Sequence, residues 1–132
     1  MKLVSIRLIA ADMVTMVAFY ELATQQTAQW LNPHFAEIVT PGATLAIGSA
    51  QTVALFKEGT AQPCANRTAI LEFMVDDVDA VFSLLKNKGD IVMEPELLPW
   101  GNRAVQFRDP EGTIVSFFTP ETKAAHARFG SR

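Results

Sequence analysis

Apolar and polar residues alternate over 3–10, LVSIRLIA, which predicts a strand. Asp12 follows at a helix-capping place, and Met13, Met16, Val17, Phe19 and Tyr20 then recur at helical spacing. The same succession returns at 70–77, ILEFMVDD, a second strand ending on Asp77. Val78, Val81, Phe82, Leu84 and Leu85 continue at nearly the same helical spacing, and Lys88-Gly89 closes that helix. With Asp12 laid over Asp77, Leu8 falls on Phe73, Met16 on Val81, Phe19 on Leu84 and Tyr20 on Leu85. The chain carries two diverged copies of one pattern.

The rest of each copy also matches. FAEIV, ATLAIGS and TVALFKE predict three strands after the first helix, separated by Pro41-Gly42 and a Ser49–Gln51 turn. DIVMEPEL, NRAVQFR and GTIVSFF predict three after the second, separated by Pro99-Trp100-Gly101 and Asp109-Pro110-Glu111-Gly112. Each half therefore reads β-α-β-β-β. Module one spans 1–58, a linker 59–67, module two 68–119, and a partly helical tail 120–132, all within one domain. One helix covers only one face of a four-stranded sheet, so the other face needs a partner. The predicted fold is α+β: two tandem βαβββ modules forming a curved mixed sheet around a concave cavity, helices outside. The cavity is the natural place for a ligand.

Composition narrows the partners. With 49% hydrophobic and 19% charged residues over 132 positions, the chain is expected to bury a real core. The net charge of −3, with no long basic stretch, argues against nucleic acid. No apolar run approaches the ~20 residues of a membrane span. Arg7 and Asp12 interrupt the apolar start and no cleavage pattern follows, so neither a signal peptide nor a membrane partner is expected. A single cysteine, Cys64, excludes an internal disulfide and fits a reducing, cytoplasmic compartment. It lies in the polar stretch TAQPCANR with no base beside it and reads as an incidental loop thiol.

Three segments carry a resemblance: DMVTMVAFYE after the first strand, FMVDDVDAVFSLLKNKG in the second module, and PWGNRAVQFRDPEGTIVSFF near the end. They resemble the vicinal oxygen chelate superfamily, which includes glyoxalase I, bleomycin-resistance proteins and extradiol dioxygenases. The resemblance covers nearly the whole chain and implies paired βαβββ modules, in agreement with the repeat. It does not fix a function, because the scaffold carries several chemistries.

Catalytic members of that superfamily hold a divalent metal through His on the first strand and Glu on the last strand of each module. Carried over residue by residue, the first-strand places are Ser5 and Ile70, the last-strand place of module two is Ser116, and that of module one is Leu55. None supplies the imidazole, carboxylate or thiolate such an ion needs. The two histidines, His34 and His126, lie in a loop and in the tail and read as solvated surface residues. No metal and no other cofactor is therefore expected.

Strand alternation then assigns the cavity face. Arg7 and Ile9 share it with Ser5, Glu72 and Met74 with Ile70, Ile114 and Phe118 with Ser116, and Val53 and Lys57 with Leu55. Arg7 and Glu72 are equivalent places in the two modules; they either neutralise one another or orient a polar ligand group. Trp100 can stack on a planar ligand or anchor its loop, and Arg103 can bind an anion or stand solvated. Trp30, between the first helix and the strands, reads as a packing residue. The candidate ligand-binding residues are Arg7, Glu72, Met74, Trp100, Arg103, Ser116 and Phe118. No catalytic residue stands out, Glu72 being a candidate base only if desolvated.

The resemblance is nearest the bleomycin-resistance branch, whose members bind compounds without transforming them. The expected function is metal-free binding of a partly apolar or aromatic small molecule, leaning away from an enzyme, in a homodimer. The alternatives are a metal-dependent lyase, isomerase or dioxygenase of the same superfamily, and an interaction module with a collapsed cavity. The ligand's identity, and whether one chain or two form the cavity, are not legible in the residues.

Overall fold

The computed structural model describes residues 1–130, so positions 131 and 132 of the predicted tail lie outside the described residues. The chain is α+β and its order repeats. β1 (Ser5–Ala10), α1 (Met13–Thr24), β2 (Gln29–Asn32), β3 (Phe35–Val39), β4 (Thr44–Ser49) and α2 (Ala50–Ala54) come first. β5 (Ile70–Met74), α3 (Val78–Leu85), β6 (Asp90–Leu97), β7 (Asn102–Arg108), β8 (Ile114–Pro120) and α4 (Lys123–Phe129) follow. The strands form two four-stranded mixed sheets, ordered β1-β4-β3-β2 and β5-β8-β7-β6. In each, the first strand runs parallel to the last and the remaining pairs are antiparallel. These are two βαβββ modules, each with a short helix added after its last strand.

The duplicated aspartates start the duplicated helices. Asp12 Oδ1 accepts from the Thr15 backbone N–H at 3.1 Å, and Asp77 Oδ1 accepts from Ala80 N–H at 3.0 Å. Each satisfies a backbone donor that the first turn leaves without an intrahelical partner. α1 ends on Gln25, which adopts the left-handed conformation at φ 54°.

One face of each sheet is covered by its own helix. In the first sheet Leu8, Ile47, Ala36, Ile38 and Leu45 share a face and are buried, as are Met13, Met16, Val17 and Tyr20 of α1. In the second, Leu71, Val115, Phe117, Phe107 and Val105 are buried on the face that α3 covers with Val78 and Leu85. Phe73 stacks on Phe117 there, with centroids 5.6 Å apart. Burial of a side chain of this size contributes about 1.5–3 kcal/mol, so these faces carry much of the stability.

Two expected strands differ. TVALFKE, expected as the last strand of module one, is instead α2 and the turn after it. The three strands after α1 are QWLN, FAEIV and TLAIGS, the first of them in the stretch expected to be a connection. Thr52 and Val53 favour strand by β-branching, but β4 already completes the sheet beside β1. The chain turns at Ser49 into a single helical turn that buries Val53.

By contact, the chain divides into two compact units: residues 1–67 with 110–112, and residues 68–109 with 113 onward. The turn Pro110–Gly112, which follows β7 in sequence, thus belongs with the first unit. Among the described residues no helix is long and apolar enough to cross a membrane.

Candidate functional site

The faces not covered by α1 and α3 carry five of the candidate residues, Arg7, Glu72, Met74, Ser116 and Phe118. In the first sheet Arg7, Ala46 and Glu37 form one row across three strands, because Arg7 pairs with Ala46 and Ala46 with Glu37. The next row is Ile9, Gly48 and Phe35. The exposed Arg7 side chain leans across these rows, its guanidinium carbon 5.0 Å from the Phe35 ring centroid, within cation–π range. Gly48 makes room for this. A Cβ there would stand 3.5 Å from Arg7 Cδ, 3.6 Å from the Phe35 ring and 2.8 Å from Thr52 Oγ1. α2 therefore folds over the end of this face.

In the second sheet the equivalent row is Glu72, Ser116 and Gln106, and the next is Met74, Phe118 and Ala104. Glu72 and Met74 are exposed, and Ile70 on the same strand face is half exposed, whereas Ser116 and Phe118 are buried. Phe118 is covered by the tail helix: the Phe129 ring lies 5.0 Å away, tilted by 52°. Each module thus ends in a short helix folded over the far end of its uncovered face.

These registers correct one position. Arg7 and Glu72 are equivalent by the aligned aspartates, Arg7 pairs with Ala46, and Glu72 pairs with Ser116. The counterpart of Ser116 is therefore Ala46, not Leu55. Leu55 is the exposed residue that ends α2 and lies in no strand. Leu55 is the counterpart only if TVALFKE is the last strand, and β4 takes that place. The places that the resemblance carries over are thus Ser5 and Ala46 in the first sheet and Ile70 and Ser116 in the second: two hydroxyls, a methyl and a butyl group. Such a set does not fit a catalytic divalent ion. Among the described residues no three His, Cys, Asp or Glu side chains gather in a way that could hold one. His34 instead has Nδ1 3.1 Å from Ser49 Oγ, and His126 lies on α4.

Arg103 lies elsewhere. It is on the other face of β7, toward α3, and forks onto Asp79 in the first turn of that helix through Nε (3.0 Å) and Nη2 (2.8 Å). This bond holds the Asp79 carboxyl below its ordinary range and raises the guanidinium above its own, the hydrogen bond being the main cause for both. Arg103 therefore stands apart from Glu72 and Ser116. Trp100 is exposed in the turn that enters β7, where Gly101 N–H donates to Leu98 C=O at 2.9 Å. Gly101 has φ 95°, and a Cβ there would collide with Thr122, so the turn and the approach of α4 both require glycine.

Two residues escaped sequence reasoning. Glu111, read only as part of a turn, accepts from the backbone N–H of Ala11 (2.8 and 2.9 Å) and of Asp12 (2.9 Å). It ties the Pro110–Gly112 turn to the start of α1, where negative charge is favoured by the helix dipole. Cys64 has φ 59° and its thiol donates to Glu111 Oε1 at 3.3 Å. No local pattern signals either contact, since the partners lie about a hundred and about fifty positions apart. The second is Asn102, the first residue of β7. It is buried, and its side-chain Oδ1 is the one buried side-chain polar atom among the described residues with no hydrogen-bond partner. Leaving such an acceptor unpaired costs about 1–3 kcal/mol.

Known proteins fit this geometry. The chain is similar to a solved glyoxalase/bleomycin resistance protein/dioxygenase family enzyme from Burkholderia phytofirmans PsJN, with TM-score 0.81 and 17% identity over 91% of this chain and 99% of that one. A glyoxalase/bleomycin resistance protein/dioxygenase from Nocardioides gives 0.74 and 22%, over 93% and 85%. A lactoylglutathione lyase from Agrobacterium tumefaciens gives 0.69 and 19%, over 89% and 92%. At these identities the likeness establishes the fold alone. No match is found among curated proteins. The model of the Glyoxalase/Bleomycin resistance protein/Dioxygenase superfamily matches residues 2–117, nearly the whole described chain, and the chain belongs to that superfamily.

Proposed function

We propose that this protein binds a partly apolar or aromatic small molecule without a resident divalent metal and without transforming it. The observation that carries this reading is the donor set at the four equivalent strand places, Ser5, Ala46, Ile70 and Ser116, which offers no ligand suited to such an ion. The same faces still present features a ligand can use. Arg7 and Glu72 bring opposite charges, and Met74 and Ile70 bring exposed apolar surface. Trp100 offers a flat aromatic face beside β7. On the first sheet the binding residue is Arg7; on the second they are Glu72, Met74, Ser116 and Phe118 with Trp100 in the turn before β7, and Arg103 is given to the α3 contact. The protein acts in the cytoplasm as a homodimer.

The enzymatic reading draws on the superfamily's name and on the solved lactoylglutathione lyase. It requires donors that these four residues lack. Glu72 is exposed, so it is not desolvated as a general base would need to be.

Native mass spectrometry of the gently purified protein, followed by titration with a panel of aromatic compounds, tests the proposal. A retained or titratable ligand whose binding weakens in Arg7→Met and Glu72→Gln is expected. Binding by no member of the panel, or turnover of one that does bind, would overturn it.

A further inference from the structure

Next to the residue that anchors the tail helix stands Asn102, whose buried Oδ1 has no hydrogen-bond partner. Asn102 shares its strand face with Ala104 and Phe118, and that end of the face is where α4 lies. α4 is anchored at its start by Glu121 N–H and Thr122 N–H donating to Gly101 C=O, at 2.9 and 3.2 Å. Thr122 caps it by accepting from Ala125 N–H. Ala125 is buried where a Cβ on Gly101 would come within 3.1 Å of it, and Phe129 rests on Phe118. The helix thus closes an apolar lid beside a carboxamide whose Oδ1 meets no donor. A buried acceptor of this kind calls for a hydrogen-bond donor from water or from a ligand.

Resting on the small-molecule reading above, we infer that α4 is a displaceable lid over a subsite at this end of the second sheet. The subsite takes a neutral aromatic compound with one N–H or O–H donor. The donor bonds Asn102 Oδ1, and the rings lie against Phe118 beside Met74. The surroundings define this class. Oδ1 accepts and cannot donate, so the ligand group in contact must carry hydrogen. The neighbours on the sheet face are Ala104, Phe118 and Met74, with no charged side chain in the Met74 row to select an ion. α4 opens about the Glu121–Thr122 junction because Gly101 supplies the pivot contacts there. A ligand that satisfies Oδ1 binds the protein more tightly than one that leaves it orphaned, and α4 closes over it.

The full-length protein is titrated by calorimetry with indole and with N-methylindole, which keeps the rings and lacks the donor. Indole is expected to bind about tenfold or more tightly than N-methylindole. That preference is expected to vanish in Asn102→Leu and to persist in Phe129→Ala, which loosens the lid. Indole is also expected to shift the Asn102 side-chain amide resonance in the unmutated protein and to change hydrogen exchange over residues 123–129. These readouts need no variant to fold. Equal binding of the two probes, a preference that survives Asn102→Leu, or no binding would overturn the subsite. Perturbation by indole at Glu72 and Ser116, with none at Asn102 and α4, would overturn the lid while leaving the small-molecule reading standing.

Discussion

Ala46 stands beside Arg7 in the first sheet as Ser116 stands beside Glu72 in the second. Both are small and buried, and both leave the long side chain next to them exposed. This pairing makes the repeat a structural fact as well as a sequence pattern. It places charge of opposite sign at equivalent points of the two sheets.

The Arg7–Phe35 arrangement depends on the absence of a side chain at position 48. Gly48→Ala puts a methyl against Thr52 Oγ1, which is already engaged as a donor to Ser49 C=O at 2.7 Å. Overpacking of this kind costs about 1–3 kcal/mol. Chemical denaturation should show that loss, and ligand titration should show weaker binding as Arg7 is displaced. Arg7→Met, by contrast, should cost less than about 1 kcal/mol of stability, because an exposed cation–π contact contributes little.

Glu111 joins a turn after β7 to the N-terminus of α1. Glu111→Ala leaves the Ala11 and Asp12 N–H groups without this acceptor and should destabilise the protein by about 1–2 kcal/mol. Hydrogen exchange should speed up in the first turn of α1 and stay unchanged in α3. Uniform acceleration across both helices would contradict a local clamp.

Acid should weaken the fold at the starts of α1 and α3. The Thr15 hydroxyl, and then its backbone N–H, hold the Asp12 carboxyl below its ordinary value; Arg103 does the same for Asp79. A carboxyl depressed in the folded state adds stability that is full above its unfolded-chain value and is lost as pH falls through the folded one. Thermal midpoints should therefore drop below about pH 4. The drop should be shallower in Asp12→Asn and in Asp79→Asn.

Asn102→Leu should stabilise the ligand-free protein, by up to about 1–3 kcal/mol, because it removes a buried acceptor that nothing in the chain satisfies. Urea denaturation reads this directly. Destabilisation would mean that the amide is paired in solution.

The proposed homodimer is checked by sedimentation. A dimer is expected at micromolar protein, and a monomer would contradict it.

Much of this was legible in the residues. The two aspartates, the helical stripes behind them and the alternation of the first and last strands of module two depend on local periodicity, which sequence displays. Ser5, Ile70 and Ser116 are places that the family resemblance carries onto those elements. The β4–α2 region was not legible, because Thr52 and Val53 suit a strand and only the completed sheet excludes them. With TVALFKE as a strand the counterpart of Ser116 is Leu55; with β4 as the last strand it is Ala46. The Arg103–Asp79 fork, the Glu111 clamp and the orphaned Asn102 depend on pairings between distant segments, to which no local spacing points.

The most direct test of a metal-free binding protein is elemental analysis. The protein is exposed to excess divalent zinc, nickel and manganese, desalted, and measured per chain. No ion near stoichiometry is expected. One tightly held ion per chain would contradict it.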